Sequence, residues 1–454
     1  MGNRTSFLTC AQQGVYIDCI VDPENLQYNN PKAVSLPAGI TPGETAVAVK
    51  KVLECHPALF SHFEDRDGNV VQVYQDECVA EVTVTNVDDA AIEVCRKAFI
   101  RPFDIEKGPL YRAEVLVAGS GVTLLLDFHH LVYDGASLGI LMNEICGAID
   151  GEEPSAEPHS YAEFADAQHS DTTDHRAYFD RMLSGMTPTQ LPSDLGGGDG
   201  SHAECVRFVS APEVMSRAKA MGTAPSALFM AAAFYTLGRY ANSRELCMTT
   251  ISNGRLNPLS EGVVGMFVNT IPLVCRIEDT SVIGFIRGIR EMFTQTRSHE
   301  EFPFTVLSGD YGIEQHVRFT YQYGSLGNAY RVHGEEVKAE PLRINSHSFP
   351  FTITIHNIDG RPAIVINYDT AKYSSDLAGR FAESMDAVVS NFLDAPESRL
   401  LGISIMSEAQ KKEVEALRQT CMDASAVRFP LFHNNIEYWA EHTPEPTPVI
   451  ACNE

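Results

Sequence analysis

The segment 122–137, with the sequence VTLLLDFHHLVYDGAS, decides the fold around it. The apolar run at its start has the length and composition of a buried strand, and this run leads into two adjacent histidines, His129 and His130. Asp134 and Gly135 follow as turn residues, after which apolar residues recur at the spacing of one helical face. The predicted order is therefore strand, histidine pair, turn and helix.

The histidine pair has a geometry that suits acyl chemistry. Adjacent side chains on a strand point to opposite faces, so only one of His129 and His130 can face a given cavity. A histidine there can hold or relay a proton near neutral pH, and backbone N–H groups at the start of the next helix can face a developing oxyanion. Gly135 permits close approach of the backbone to a substrate. Asp134 either orients the imidazole or pairs with an arginine that fixes the loop.

A histidine pair at a strand end is more often structural than catalytic, so the other motifs decide the interpretation. Residues 129–135, HHLVYDG, resemble the HHxxxDG signature of the condensation domains of nonribosomal peptide synthetases, which are relatives of chloramphenicol acetyltransferase. The resemblance continues in order along most of the chain. Matching motifs are LTCAQQ at 8–13, FD at 103–104, GPL at 108–110 with Arg112, YAEF at 161–164, VGMFVNT at 264–270 and HEEFPF at 299–304.

The alternation of strand and helix signals favours an α/β fold, and the resemblance implies α+β two-layer sandwiches forming two chloramphenicol acetyltransferase-like lobes in a V-shaped pseudo-dimer. Residues 1–160 are then the N-terminal lobe with the HHxxxDG motif, 161–200 a linker helix and flexible loop, and 201–412 the C-terminal lobe. Residues 413–454 resemble a linker and the beginning of an adenylation domain. An ordinary amphipathic C-terminal helix is the alternative there.

Composition excludes several classes of function. The net charge of −26 disfavours nucleic acid as a partner, because binding to phosphates needs basic patches. No run approaches the roughly twenty apolar residues that span a bilayer, so we expect no membrane partner. The 11 cysteines lack paired spacings and no secretory signal is visible, which predicts reduced thiols, no metal site and a cytoplasmic location.

The resemblance implies an acyltransferase that forms amide (peptide) bonds. Its donor would be an acyl or peptidyl thioester and its acceptor an aminoacyl thioester, each on the phosphopantetheine arm of a carrier protein. The implied partners are carrier domains at donor and acceptor faces and a downstream adenylation domain. No cofactor would be bound, and acyl-coenzyme A is an alternative donor.

The resemblance also implies roles for the motif residues. His130 would face the substrate tunnel, either as general base or as hydrogen-bond partner of the attacking amine, and His129 would brace it from behind. Asp134 would hold the loop, and Gly135 would offer a backbone N–H and clearance.

Three further residues are expected on the substrate path, namely Ser137, Asn269 and Tyr133. Packing is the alternative for Tyr133, and a structural hydrogen bond between the lobes is the alternative for Asn269.

One departure from the family motifs yields a specific prediction. The family's early motif RHExLRTxF appears here as CHPALFSHF at 55–63, without either arginine. If one of those arginines normally braces the active-site loop, another residue must do so here. We predict that Arg276, just after the FVNT strand, contacts Asp134.

Three alternatives to ordinary elongation remain open. A starter condensation domain would N-acylate the first amino acid with a fatty acyl group, since the LTCAQ motif lies almost at Met1 with no room for an upstream carrier. An excised chain explains that position equally well. An epimerase domain shares the histidine signature, and a catalytically inactive condensation fold could act as a docking platform.

Overall fold

The computed structural model describes residues 4–171, 173–323, 329–342 and 349–421, together with residues 438 and 441. The chain divides into two compact units, Met1–Ile403 and Ser404–Glu454. The second unit contains a helix at Glu408–Cys421. The predicted beginning of an adenylation domain at 413–454 lies outside the described residues from 422 onward, apart from positions 438 and 441.

The first half of the chain supplies seven strands and four α-helices among the described residues. In chain order they are β1 (Thr5–Phe7), α1 (Cys10–Val21), β2 (Lys32–Ser35), α2 (Pro42–Glu54), β3 (His62–Arg66), β4 (Asn69–Val73), β5 (Thr83–Asn86), α3 (Ile92–Phe99), β6 (Tyr111–Ala118), β7 (Gly121–Phe128) and α4 (Gly135–Ile149). Strands β1, β4 and β3 form a small sheet, while β2, β7, β6 and β5 are neighbours in a larger one.

Strand β7 is the centre of this larger sheet, and its sequence explains why. It pairs antiparallel with β2 on one side and with β6 on the other. The side chains of Leu124, Leu125 and Leu126 are all fully buried, so both faces of β7 are covered. A strand buried on both faces reads as a continuous apolar run rather than as an alternating one. Helices α2 and α4 pack against each other beside the sheet and contribute apolar side chains such as Val52 and Leu141 to the core.

The second half builds a six-stranded sheet in the order β10-β9-β11-β15-β16-β8. The described helices and strands of this half are, in chain order, α5 (Tyr161–His169), α6 (His175–Leu183), β8 (His202–Phe208), α7 (Val214–Ala220), α8 (Pro225–Tyr240), β9 (Glu245–Ser252), β10 (Asn269–Arg276), α9 (Val282–Arg297), α10 (Phe304–Tyr311), β11 (Val317–Tyr321), β12 (Tyr330–Val332), β13 (Glu335–Val337), β14 (Ala339–Pro341), β15 (Phe351–Ile358), β16 (Arg361–Asp369) and α11 (Ser375–Asp394). Two sheets, each packed with helices, confirm the predicted two-lobed α/β architecture.

Helix α8 is buried along most of its length, between α9 and α11. Within the described residues, no single helix is long and apolar enough to cross a membrane, although α7 and α8 together, bent by 99°, pass that test on length and composition alone.

The two halves of the chain share a sheet, which the sequence did not predict. Strand β14 pairs antiparallel with β2 and becomes the edge strand of the first-half sheet. The chain reaches it through the hairpin of β12 and β13, whose residues Tyr330, Val332 and Val337 are buried in the first-half core. The second half therefore completes the lobe that carries the histidines.

The linker helix predicted within 161–200 is two helices. Helix α5 ends at His169 and α6 begins at His175, with Asp174 as its N-cap, whose side chain accepts a hydrogen bond from the Ala177 N–H at 2.9 Å. Between them, the Asp171 carboxylate accepts from the Thr173 N–H at 2.9 Å. Asp and Thr side chains that bond to nearby backbone compete with helix formation, which gives a physical reason for α5 and α6 to be separate helices.

Candidate active site

The two adjacent histidines lie in different environments at the end of β7. His129 is buried: its Nδ1 accepts a hydrogen bond from the Leu131 N–H at 3.2 Å, and its Nε2 lies 3.6 Å from the Cys19 sulfur. Burial, with the nearby His130 and Arg112, lowers the pKa of His129 to about 3. His130, by contrast, lines a cavity. His129 is therefore a neutral packing residue behind the loop, and His130 is the histidine that a substrate could reach.

The tautomer of His130 follows from its hydrogen bonds. Its Nδ1 lies 3.1 Å from the carbonyl oxygen of Tyr133. A carbonyl oxygen can only accept, so Nδ1 carries the proton and Nε2 carries the lone pair. Burial lowers the pKa of His130, and the opposing effects of Asp134 and the Tyr133 carbonyl do not cancel it. At neutral pH the ring is therefore uncharged, with Nε2 able to accept a proton; the Asn30 side-chain nitrogen lies 3.4 Å from it.

The cavity that contains His130 is formed by both halves of the chain and has a volume of about 630 Å³. This volume falls in the range of small-molecule sites. Its lining comes from helix α1, the residues after it, the segment before and within β10, helix α10 and strand β11. The residues are Cys10, Ala11, Gly14, Val15, Ile17, Asp18, Gln27, Tyr28, His130, Ile251, Met266, Val268, Asn269, Thr270, Phe304, Thr305, Ser308, Gln315, Arg318 and Phe349.

Asp134 does not contact the imidazole nitrogens; it fixes the loop through a buried network. It is the N-cap of α4, and its carboxylate accepts from the Ser137 N–H at 2.8 Å and the Phe267 N–H at 3.3 Å. Arg255 Nη2 lies 3.0 and 3.2 Å from its two oxygens. The expectation that Asp134 meets an arginine from a distant part of the chain is confirmed.

The prediction that this arginine is Arg276 is wrong. Arg276 is at the end of β10, where it forms an exposed ion pair with Glu245 at 3.1 Å. Arg255 lies in the loop after β9, where its Nη1 donates to the carbonyl oxygens of Ser260 and Val263 and its guanidinium lies 4.1 Å from the centre of the Phe267 ring. A loop conformation, rather than a strand pattern, brings Arg255 to the carboxylate, which is why strand-based reasoning missed it.

Two of the predicted substrate-contacting residues are buried and do not line the cavity. Ser137 is fully buried, and its hydroxyl lies 2.9 Å from Asp134 and 3.1 Å from the Gly265 N–H, so it belongs to the loop network. Tyr133 is also fully buried and stacks on Phe128, with ring centres 4.8 Å apart. Packing, the alternative stated for Tyr133, describes its environment.

Of the two remaining predicted positions, Asn269 lies at the cavity and Gly135 lies at the start of helix α4. Asn269 lines the cavity, but its Nδ2 donates to the carbonyl oxygens of Glu300 and Phe302 at 2.6 and 3.2 Å, so it also ties β10 to the segment before α10. Gly135 is the first residue of α4, so its N–H is one of those at a helix start that have no acceptor within the helix.

The separated motifs meet around the histidine loop. Gln12, in the LTCAQQ motif, donates from Nε2 to the Leu131 carbonyl oxygen at 2.7 Å. Tyr161, in the YAEF motif, donates to the Met266 carbonyl oxygen at 2.5 Å. A Cβ on Gly265 would lie 2.1 Å from the Tyr161 ring, so only glycine allows this approach. The position of Gln12 against residue 131 was not predicted, although its motif was recognised.

His56 lies in segment 55–63, where it matches the histidine of the family's early motif, and it is buried between two carboxylates. Its Nδ1 lies 2.7 Å from Glu157 and its Nε2 2.8 Å from Glu144. Burial acts to lower the pKa of His56, but the hydrogen bonds and charges of the two glutamates prevail and raise it to about 9. Glu157 also accepts from the Val264 N–H at 2.8 Å. A protonated His56 therefore helps to hold the segment before β10.

Comparison with known proteins decides the family. Residues 3–415 match the family model described as "Condensation domain". The chain belongs to the condensation-domain family. The resemblance predicted from the motifs is thereby confirmed, while the adenylation-domain beginning remains a prediction.

Relatives of this condensation domain include two much longer peptide synthases. Bacitracin synthase 3 of Bacillus licheniformis is 24% identical over 98% of the chain, and tyrocidine synthase 3 of Brevibacillus parabrevis is 23% identical over 90% of it. The chain spans 7% of the length of each of these relatives.

Two solved structures show the same fold. The condensation domain of the monacolin K polyketide synthase MokA has a TM-score of 0.73 at 18% identity, covering 87% of this chain and 99% of that one. The starter condensation domain of the rhizomide synthetase RzmA has a TM-score of 0.73 at 16% identity, covering 89% and 100%.

We predict that Arg255→Ala destabilises the domain by about 3–5 kcal/mol, because it leaves the Asp134 carboxylate buried without its counter-charge. Urea unfolding measures this. Arg276→Ala is the matched control, since its ion pair is exposed and its loss should cost no more than about 1 kcal/mol. Equal unfolding midpoints for the two variants would contradict the assignment of Arg255 as the brace.

We predict that stability falls as pH rises from 6.5 to 9, because the pKa of His56 is raised from 6.5 to about 9 by folding. The contribution of His56 is fully present below pH 6.5 and is lost as pH passes 9. The expected loss across this window is up to about 3 kcal/mol, measured by urea unfolding at both pH values. His56→Gln should be less stable at pH 6.5 and should show a smaller loss; an unchanged slope would refute this origin.

Proposed function

We propose that this condensation domain forms an amide bond between an acyl or peptidyl thioester donor and the amine of an aminoacyl thioester acceptor. Both substrates would be carried on the phosphopantetheine arms of carrier proteins, in nonribosomal peptide synthesis. The observation that carries the proposal is His130, which lines a cavity built by both halves of the chain and whose Nδ1 proton, donated to the Tyr133 carbonyl oxygen, leaves Nε2 as the acceptor nitrogen. The family match and the peptide-synthase relatives support it.

For this reaction the protein has to position the two substrates, stabilise the tetrahedral oxyanion and accept the proton that the amine loses. The acceptor amine attacks the donor carbonyl carbon, a tetrahedral oxyanion forms, and the carbon–sulfur bond breaks to release the donor arm as a thiol. His130 Nε2 accepts a hydrogen bond from the attacking amine, and the same atom can take the proton that the amine must lose. In either role, base or positioning group, the required feature is the Nε2 lone pair.

The start of helix α4 provides the hydrogen-bond donor that the oxyanion needs. Asp134 uses the Ser137 N–H for its cap, while Gly135 opens the helix with an N–H that has no intrahelical acceptor. In this proposal that amide, together with the positive end of the helix, faces the oxyanion. Arg255 matters because its ion pair with Asp134 keeps Asp134 at the N-cap of α4 and so holds the loop in place.

Carrier domains and an adjoining adenylation domain are the proposed partners. With a net charge of −26 the chain as a whole does not attract acidic partners, so docking would depend on local apolar or basic residues. No resident cofactor is part of this mechanism, because the reacting groups arrive on the carrier arms. Acyl-coenzyme A is an alternative source of the donor.

We predict that His130→Ala folds normally and lowers kcat/KM for amide formation by about 100-fold or more. The assay uses carrier-loaded donor and acceptor, with product detected by mass spectrometry. His129→Ala is the comparison: it leaves the Leu131 N–H without its acceptor and a cavity in the core, so it should lower the unfolding midpoint.

Full activity in a folded His130→Ala protein would refute the proposed role of His130. Running the same assay with fatty acyl-coenzyme A, acyl-carrier and peptidyl-carrier donors assigns the donor class, because elongation requires product from the peptidyl donor and a starter role requires it from the acyl donors.

A further inference from the structure

Arg318 is a cation in the reaction cavity whose hydrogen-bonding capacity is largely unused. It lies on β11 and lines the same cavity as His130. Its Nη2 donates to Gln315 Oε1 at 3.1 Å, and its guanidinium lies 3.2 Å from the centre of the Phe349 ring. Its Nε is buried without a hydrogen-bond acceptor in the described part of the chain. A guanidinium has five N–H groups, and within the described residues only one hydrogen bond from Arg318 to a protein acceptor is formed, the one from Nη2 to Gln315.

No carboxylate neutralises Arg318 among the described residues of the Met1–Ile403 unit. The positions of that unit outside the described ranges, 1–3, 172, 324–328 and 343–348, contain no Asp or Glu in the sequence. Asp18 also lines the cavity, but it pairs with the Tyr28 hydroxyl at 2.5 Å and forms no ion pair with Arg318.

Other arginines in the interior of the same unit do have acidic partners. Arg112 lies 2.9 Å from Asp127, and Arg255 lies 3.0 Å from Asp134. The chain has 60 acidic residues against 34 Lys and Arg, so acids were available to pair with Arg318 as well. Burial lowers the pKa of the Arg318 guanidinium to about 9, with only the Tyr28 hydroxyl opposing it. A buried cation without a partner is costly, and an anion that enters the cavity would offset that cost.

We propose that Arg318 binds a carboxylate carried by one of the two substrates, so that this domain condenses an acidic building block. This inference rests on the proposed amide-forming function. The planar guanidinium can hold a carboxylate through two parallel hydrogen bonds, which a lysine could not reproduce. Phe349 supports one face of the guanidinium and so fixes its plane.

The location of Arg318 favours a carboxylate over the phosphate of the carrier arm. That phosphate is at the opposite end of the arm from the thioester, whereas Arg318 and His130 line one cavity. We therefore place the anion on the substrate itself, in the cavity that Arg318 shares with His130. Two sources remain, the side chain of the acceptor amino acid and the far end of the donor acyl group.

A binding experiment without turnover tests this directly. The probes are two pairs of unreactive pantetheine amides: glutamyl against glutaminyl for the acceptor, and glutaryl against its terminal primary amide for the donor. Calorimetry on the whole chain should show the carboxylate member of one pair binding at least tenfold more tightly than its amide, and the pair that shows this identifies the source. Equal affinities within both pairs for the wild-type protein would overturn the proposal.

Variants then assign the effect to one residue. Arg318→Gln should reduce the carboxylate-to-amide ratio to about one and should leave the unfolding temperature unchanged or raised, since it removes an unpaired charge. Arg318→Lys should retain part of the ratio. Arg361→Gln is the matched control, an exposed arginine stacked on Phe208 at 4.3 Å, and should keep the full ratio. A ratio that survives in Arg318→Gln, or loss of affinity for both members alike, would overturn the proposal.

The same pairs, loaded on carriers and assayed for amide formation, separate this inference from the proposed function. Product with no preference for the carboxylate in either pair refutes the role of Arg318 and leaves amide formation standing. A carboxylate preference in binding, with no product from any donor and acceptor, supports the anion site and refutes amide formation.

Discussion

The ion pair between Asp134 and Arg255 is the constraint on which the candidate site depends. The carboxylate is fully buried, caps helix α4 and sits directly after the histidine segment, so its position sets the direction of that helix and the path of the loop. A buried carboxylate is tolerated only when its charge and its lone pairs are matched, and here Arg255, Ser137 and the Phe267 N–H match them. Because Arg255 and Phe267 come from the second half of the chain, the loop keeps its shape only when the two halves are packed together.

Three histidines of the first half show how a carboxylate partner can outweigh the effect of burial on the pKa. His129 accepts from a backbone N–H and His130 donates to a backbone carbonyl, and neither has a carboxylate at its other nitrogen, so burial keeps both neutral. His56 has a glutamate at each nitrogen and has its pKa raised instead. An uncharged histidine, His130, thus lines the cavity, while a charged histidine, His56, binds two glutamates away from it.

Much of this arrangement was predictable from local patterns. The apolar run before His129, the alternation of side chains along a strand, and the turn at Asp134 specify the strand, the loop and the helix without tertiary information. The identity of the brace was not predictable in this way, because Arg255 reaches Asp134 from an irregular loop and its neighbours in sequence carry no periodic signal. Strand β14 was missed for a related reason: three residues, Ala339–Pro341, are too few to produce a pattern, and only pairing with β2 makes them a strand.

The buried Asp134 carboxylate takes its counter-charge from a part of the chain that is distant in sequence. Residues 55–63 lack both arginines of the family's early motif, and the arginine at Asp134 is Arg255 of the second half. Within the same early segment, His56 binds Glu157, and Glu157 accepts a hydrogen bond from the Val264 N–H in the segment that leads to Phe267. Arg255 and the His56–Glu157 pair therefore act on the same segment, 263–267, which approaches the histidine loop from the second half. The requirement is a counter-charge and a fixed segment beside Asp134, and the physical chemistry does not specify which part of the chain provides them.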